Sequence, residues 1–218
     1  MEDRVILIDK SAGISSFGVV AKIRGFLRNE FGHKVKVGHT GTLDPFATGL
    51  LILLSGKMTK RSNDFLKLDK EYVADLKLGF KSSTGDPEGE IEKVDDRVPD
   101  AKEIEDILQT FIGEIEQIPP KYSAIKINGQ RAYKLARKGV DFEVPMRKIR
   151  IYNIEVLEYE YPRLAIRCRV SSGTYIRTLA EDIGLKLGVG AYLTALRRTK
   201  IGEYSVDKAC TLKDFVLH

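Results

Sequence analysis

An α+β fold is what this sequence predicts, on two observations. Runs with a period of two, as in strands, are mixed with runs of period 3.6, as in helices. The two kinds do not alternate as regular strand–helix units, which would signal a doubly wound parallel sheet instead. Of the 218 residues, 43% are hydrophobic, enough for a real core, and 31% are charged, enough to cover it. No internal repeat, low-complexity stretch or interdomain linker interrupts the chain.

The elements follow in order. Val5-Ile6-Leu7-Ile8-Asp9 is a first strand. Ser15 and Ser16 can cap a helix whose apolar face holds Val20, Ile23, Leu27 and Phe31, and Gly32 closes it. Residues 38–49 form a glycine-rich loop before the apolar strand Leu50-Leu51-Ile52-Leu53-Leu54. A short helix is expected from Thr59 to Leu68. Tyr72, Ala74, Leu76, Leu78 and Phe80 alternate with Val73, Asp75, Lys77 and Gly79, a half-buried strand. Residues 81–97 read as an acidic hairpin or loop. Asp100 and Glu103 suit a capping box, and Ile104, Ile107, Leu108, Phe111 and Ile112 share one helix face that ends at Gly113. Leu164, Ile166, Cys168 and Val170 mark a further strand, and Ile176, Leu179, Ala180, Ile183 and Leu187 a helix. Tyr192 to Arg198 is expected as a short helix, and Thr211 to Leu217 as another.

Composition excludes several classes. No apolar run approaches the roughly 20 residues of a spanning helix. The charged start Glu2-Asp3-Arg4 does not resemble a secretory signal. Cys168 and Cys210 lack metal-ligand spacing, and His33, His39 and His218 are scattered, so neither a metal site nor a disulfide framework is expected. A reducing cytoplasm fits this cysteine usage. The net charge of +5 is uneven: +5 over residues 1–85, −9 over 86–116 and +9 over 117–218. That pattern suits a polyanion on one face and a solvated acidic face turned away. Ordinary salt-bridged surfaces would give the same distribution, so charge alone does not name nucleic acid.

The most informative stretch is Gly38-His39-Thr40-Gly41-Thr42-Leu43-Asp44-Pro45-Phe46-Ala47-Thr48-Gly49-Leu50-Leu51. Its glycines permit tight turns and close approach by another molecule. Pro45 biases Asp44 away from the helical region. The product is an ordered loop presenting one carboxylate at the mouth of a buried strand. By itself an Asp-Pro in such a loop is most often a turn or a cap. Three further motifs follow in order: Lys70-Glu71-Tyr72; Pro119-Pro120-Lys121-Tyr122-Ser123-Ala124-Ile125-Lys126 with Gly129, Tyr133, Ala136, Arg137 and Gly139; and Ser172-Gly173-Thr174-Tyr175-Ile176-Arg177-Thr178-Leu179. In the last, Arg177 falls in the first turn of its helix, where the dipole disfavours a cation, so something anionic should compensate.

From Val5 to Tyr204 the chain resembles the TruB-type pseudouridine synthases, which isomerise a uridine in the T-loop of tRNA. The resemblance implies a mixed, largely antiparallel sheet flanked by helices and loops, with the active-site cleft across the sheet. It implies Asp44 as the catalytic residue and an ion pair between Asp44 and Arg177. Tyr72 would stack on the flipped base, Tyr175 would be a second active-site tyrosine, and Leu196 would line the uracil pocket. By pattern alone Tyr72 and Leu196 would be core residues. His39 would contact the RNA beside the loop, and Lys60 and Lys126 would bind phosphate. Arg147, Lys148 and Arg150 add basic charge, and each basic residue could equally be a solvated surface charge.

Residues 1–218 are thus read as a single catalytic domain, with an RNA-gripping insertion at about 119–148 and no C-terminal PUA-like domain. Lys10-Ser11 departs from the family's lysine-proline. The missing C-terminal RNA-binding domain would affect affinity and substrate choice rather than chemistry. The expected reaction needs no cofactor: cleavage between uracil N1 and the sugar C1′, base rotation and rejoining through C5. Whether Asp44 attacks C1′ or removes the 2′ proton stays open. The expected partner is the tRNA T-arm, without membrane or guide RNA, and the chain is expected to be monomeric. Three alternatives remain: an RNA-folding module, a guide-dependent enzyme of the dyskerin branch, and, least favoured, a hydrolase using Asp44.

Overall fold

The structure, a computed structural model, describes residues 2–217 apart from 124 and 128. Ala124 of the proline-flanked motif and His218 lie outside the described residues. The chain runs β1 (Val5–Lys10), α1 (Ser16–Phe31), β2 (Val37–His39), β3 (Thr48–Ser55), a 3-10 turn (Gly56–Arg61), α2 (Ser62–Leu66), β4 (Lys70–Leu78), β5 (Phe80–Ser82), β6 (Ile91–Lys93) and α3 (Ala101–Gln109). It continues through β7 (Gly113–Gln117), β8 (Lys126–Ile127), β9 (Gln130–Arg131), α4 (Ala132–Arg137), β10 (Arg147–Glu160), β11 (Arg163–Val170), α5 (Ile176–Lys186) and β12 (Ala191–Ile201). β13 (Tyr204–Ser205), a second 3-10 turn (Val206–Lys208), β14 (Cys210–Thr211) and α6 (Leu212–Leu217) follow.

Backbone contacts divide the chain into two compact units: Met1–Val73 with Leu196–His218, and Ala74–Ala195. Both boundaries fall inside strands, β4 and β12.

In the first unit the strand order is β14-β1-β3-β12, with β2 also on β3 and β13 on β12. The sheet is mixed: β1 and β2 are antiparallel to β3, while β1–β14 and β3–β12 are parallel. α1 starts where its cap requires. Ser15 accepts from the Gly18 N–H at 3.0 Å, and Gly32 ends the helix with φ +73°. Val19, Val20, Ile23 and Leu27 bury their face against Ile6, Ile8, Leu51 and Leu53. Leu50, Ile52 and Leu54 point the other way, to Phe65, Ile201 and Val206. β3 is apolar without interruption because both of its faces are covered. Each fully buried leucine or isoleucine contributes about 1.5–3 kcal/mol.

In the second unit β10 pairs antiparallel with both β11 and β7. β5 and β6 form the acidic hairpin expected at 81–97. Asp100 caps α3, accepting from the Glu103 N–H at 2.8 Å, while the Glu103 carboxylate turns to Arg97 at 2.8 Å instead of closing the box. α3 ends at Gln109, short of the expected Ile112.

One expected element is wrong in kind. Tyr192–Arg198 is strand, inside β12, where a short helix was expected. Leu, Ala and Arg favour helix intrinsically. Pairing with β3, Arg197 beside Thr48 and Arg198 beside Gly49, overrides that preference. The helix expected at 59–68 begins as the 3-10 turn and becomes α-helix only at Ser62.

Candidate active site

Asp44 lies half-buried in the loop between β2 and β3. Three buried side chains immobilise that loop. Ser16 Oγ accepts from the Leu43 N–H at 2.8 Å and donates to the Leu43 carbonyl at 2.9 Å. Lys10, 1% exposed at the end of β1, donates from Nζ to the carbonyls of Ile14 (2.8 Å), Ser11 (2.9 Å) and Pro45 (3.2 Å). Arg198, also 1% exposed, donates from Nε to the Leu50 carbonyl at 2.8 Å, from Nη2 to Gly41 at 3.1 Å and from Nη1 to Thr42 at 3.4 Å. Backbone bonds finish the loop: Gly13 N–H to Pro45 (2.9 Å) and Ala47 N–H to Asp44 (3.1 Å). Gly49 has φ +101°, and a Cβ there would lie 2.3 Å from the Arg198 carbonyl. Only glycine lets β12 pass this close to the start of β3.

Lys70, at the start of β4, is a third buried cation, donating to the Leu68 and Leu66 carbonyls at 2.6 and 2.7 Å. Among the described residues, none of Lys10, Lys70 and Arg198 forms an ion pair. Burial pushes the Lys10 ammonium down to about 8; the Asp44 carboxylate pulls the other way and the Arg198 guanidinium adds to the drop. Burial, then Arg198, brings Lys70 to about 8 as well, with Asp69 opposing. Carbonyl dipoles replace the water these cations lose. The Asp44 loop is therefore pinned to its scaffold largely by charge-assisted hydrogen bonds, which are stronger than neutral ones.

The first unit holds four more of the expected residues. His39 ends β2, half-buried, with its Nδ1 3.4 Å from the Gly41 N–H, a contact that makes this nitrogen the acceptor. Tyr72 is buried on β4 and Leu196 on β12, near the strand-to-strand bond from Thr199 Oγ1 to the Glu71 carbonyl (3.2 Å). Beside Leu196, Arg197 forks onto Asp9 at 2.7 and 3.1 Å. Lys60 is exposed on the 3-10 turn.

The second unit holds Tyr175, Arg177 and Lys126. Gln117 grips the Tyr175 backbone from both sides: its Oε1 accepts from the N–H at 2.8 Å and its Nε2 donates to the carbonyl at 3.0 Å. This stands in for a cap at the start of α5, where no side chain caps the helix. Arg177 is buried, so a solvated surface role does not describe it. Its Nη1 lies 3.2 Å from Asp86 Oδ2 and donates to the Thr84 carbonyl at 3.1 Å; Nη2 donates to the Tyr122 carbonyl at 2.8 Å. Asp86 thus supplies anionic compensation of the kind expected for a cation in a first helical turn. It is itself held by the Thr84 hydroxyl (2.6 Å) and the Glu88 N–H (3.1 Å). Lys126 is exposed on β8. Among the nearby basic residues, Lys121 pairs with Asp141 (3.0 Å) and Lys148 with Glu114 (3.4 Å).

Sequence reasoning missed Asp86, Lys10, Lys70 and Arg198 as site residues. Asp86 did carry a signal, since Gly85-Asp86-Pro87 repeats the Asp-Pro turn grammar of Asp44-Pro45. Lys10 and Lys70 stood in motifs already singled out, Lys10-Ser11 and Lys70-Glu71-Tyr72, but nothing in those motifs told that the cations are buried, and Arg198 carried no signal. Among the described residues, no group of three or more His, Cys, Asp or Glu side chains is placed to hold a metal, and no helix is long and apolar enough to cross a membrane.

Comparison with known proteins adds independent findings. Residues 28–176 match the model of the TruB family pseudouridylate synthase N-terminal domain. Residues 177–217 match that of the tRNA pseudouridylate synthase B C-terminal domain. The chain is 46% identical over 216 residues to a protein of Phocaeicola vulgatus named tRNA pseudouridine synthase B, covering 98% of this chain and 92% of that one. A protein of the same name from Francisella tularensis subsp. tularensis is 45% identical, over 96% of this chain and 68% of its own. Among solved structures, a chain of a Cbf5-Nop10-Gar1 complex superposes with a TM-score of 0.75 at 36% identity, over 99% of this chain and 54% of that one.

Proposed function

This chain belongs to the TruB family of pseudouridylate synthases, and on that premise we propose that it isomerises uridine to pseudouridine in tRNA. The proposed target is the T-loop uridine, position 55 by the family's convention, and the proposed compartment is the cytoplasm. The observation that carries the residue assignment is the pinned loop. A half-buried carboxylate is held on a loop fixed by Ser16, Lys10 and Arg198, with Tyr72 and Leu196 on strands of the same unit. Holding a reacting group in one geometry is worth far more than merely having it present.

Asp44 is the proposed catalytic residue. The target uridine leaves its stack, at a cost of a few kcal/mol, and stacking on Tyr72 with packing on Leu196 offsets this. The bond between N1 and C1′ breaks, the uracil turns, and C5 bonds to C1′ as its proton is lost and N1 gains one. Reactant and product are isomers, so the overall balance calls for no oxidant and no added water. His39, Tyr175, Arg177, Lys60 and Lys126 are assigned to RNA and nucleotide contact.

The test is product analysis of an unmodified tRNA transcript with the chain alone, wild type beside Asp44→Asn. The variant keeps the shape and removes the charge. It should bind RNA as wild type does and make no pseudouridine; turnover by the variant would remove Asp44 from the chemistry. A second reading follows from the likeness to a chain solved within a Cbf5-Nop10-Gar1 complex: the chain works only within an assembly. Wild-type product on naked tRNA excludes it.

A further inference from the structure

We propose that α1 presents a second RNA-contact surface, the stripe Phe17–Arg24–Arg28 with Lys36 beside it. This rests on the reading of the chain as a tRNA-modifying enzyme and adds a binding face to it. Four observations carry it.

Phe17 is 64% exposed, one of the most exposed large apolar side chains among the described residues. Positions 17, 24 and 28 are seven and four residues apart, so they lie along one edge of the helix. Arg24 connects them: its guanidinium lies 5.9 Å from the Phe17 ring centroid, and its Nη2 donates to the Val37 carbonyl at 3.1 Å. That second bond brings the stripe to β2, where Lys36 is exposed just before Val37.

The charges are unneutralised. Among the described residues, Arg24, Arg28 and Lys36 make no ion pair, as is also true of other exposed cations such as Lys57, Lys60 and Lys67; what sets these three apart is their alignment beside an exposed ring. The one acid of α1, Glu30, is on another side of the helix and is tied to Arg4. Finally, both ends of this surface reach the Asp44 loop. Ser16, next to Phe17, makes two hydrogen bonds with the Leu43 backbone, and β2 leads from Val37 through His39 into the loop.

Cations spaced along a helix edge and an exposed ring at its loop-side end suit an RNA strand leaving the reaction site. Arg24, Arg28 and Lys36 would meet phosphates, and Phe17 the face of an unpaired base. A protein partner would need a larger apolar surface than one ring.

The test is tRNA-transcript binding over a salt series, wild type beside Arg28→Glu/Lys36→Glu. Neither side chain makes a hydrogen bond among the described residues, so the fold should tolerate both changes; unfolding curves check this. Each phosphate contact accounts for about 0.7–0.9 in the slope of log K against log salt. The slope should therefore fall by about 1.4 to 1.8, counting both contacts. Phe17→Ala should weaken binding several-fold and leave the slope alone. An unchanged slope and unchanged affinity in all three substitutions would overturn the proposal. If wild type itself neither binds nor modifies tRNA, the proposed function fails instead, and the two failures are distinct.

Discussion

Replacing Arg198 by methionine tests the pinned loop most directly. Methionine keeps an unbranched stem and removes the guanidinium. The carbonyls of Leu50 and Gly41 lose donors at 2.8 and 3.1 Å, and Thr42 loses a longer one at 3.4 Å. Two well-formed bonds from a charged donor are worth about 3–6 kcal/mol together. Removing a buried cation returns part of this, about 1–3 kcal/mol, because its desolvation cost disappears. Its repulsion of Lys10 and Lys70 disappears too. The net expectation is a loss of about 2–4 kcal/mol in urea unfolding. The catalytic effect is separate. Gly41 and Thr42 lie three and two residues before Asp44, so their release loosens the carboxylate itself. A displacement of about 1 Å can cost roughly a hundredfold, so single-turnover pseudouridine formation should fall about 10- to 100-fold under conditions where the variant is folded. tRNA binding should stay within about threefold, because no phosphate contact is removed. Stability within about 0.5 kcal/mol of wild type together with an unchanged rate would refute the claim that Arg198 holds the loop.

Three further outcomes are expected. The buried lysines give stability an unusual pH dependence. Their folded pKa of about 8 lies below the ordinary 10.5, so between those values the unfolded chain binds more protons and stability rises with pH. Wild type should gain up to about 2 kcal/mol over Lys10→Met between pH 7.5 and 9.5, read from urea midpoints; a wild-type loss over that range would contradict a buried charged Lys10. Gly49→Ala places a methyl 2.3 Å from the Arg198 carbonyl and should cost about 3 kcal/mol or more, because the obstacle is backbone; a melting temperature equal to wild type would show that β12 can yield. Asp86→Ala leaves Arg177 buried without the acid 3.2 Å away and should destabilise by about 3–5 kcal/mol. Asp86→Asn, which keeps the Thr84 and Glu88 contacts, should recover part of that loss but not the full turnover rate. Equal rates for Asp86→Asn and wild type would show that the Asp86 charge does not matter to the chemistry.

What could be read from the sequence was whatever short-range physics decides. α1 announced itself through its serine cap, its apolar spacing and its closing glycine, and the structure has it there, Ser16–Phe31. β1, β3, β4, β11 and α5 were legible because a face buried along one element leaves a period in that element alone. The motif around Asp44 and its fellows in the chain pointed to the family on residues that are contiguous in sequence.

The rest depended on partners far along the chain. β12 looked helical because leucine, alanine and arginine favour helix, and only its pairing with β3, some 148 residues away, made it a strand. Tyr72 and Leu196, which pattern alone would place in the core, are indeed buried. Asp86 found Arg177 across a gap of about ninety residues, and Arg198 found the carbonyls of Gly41 and Thr42 across more than 150. The sequence by itself determined which local elements form and which motifs point to the family, since propensity, capping and periodicity act over a few residues. Only the tertiary structure decided that Lys10, Lys70 and Arg198 lose their water and spend their charge on backbone carbonyls, because desolvation belongs to a residue's surroundings and not to its type.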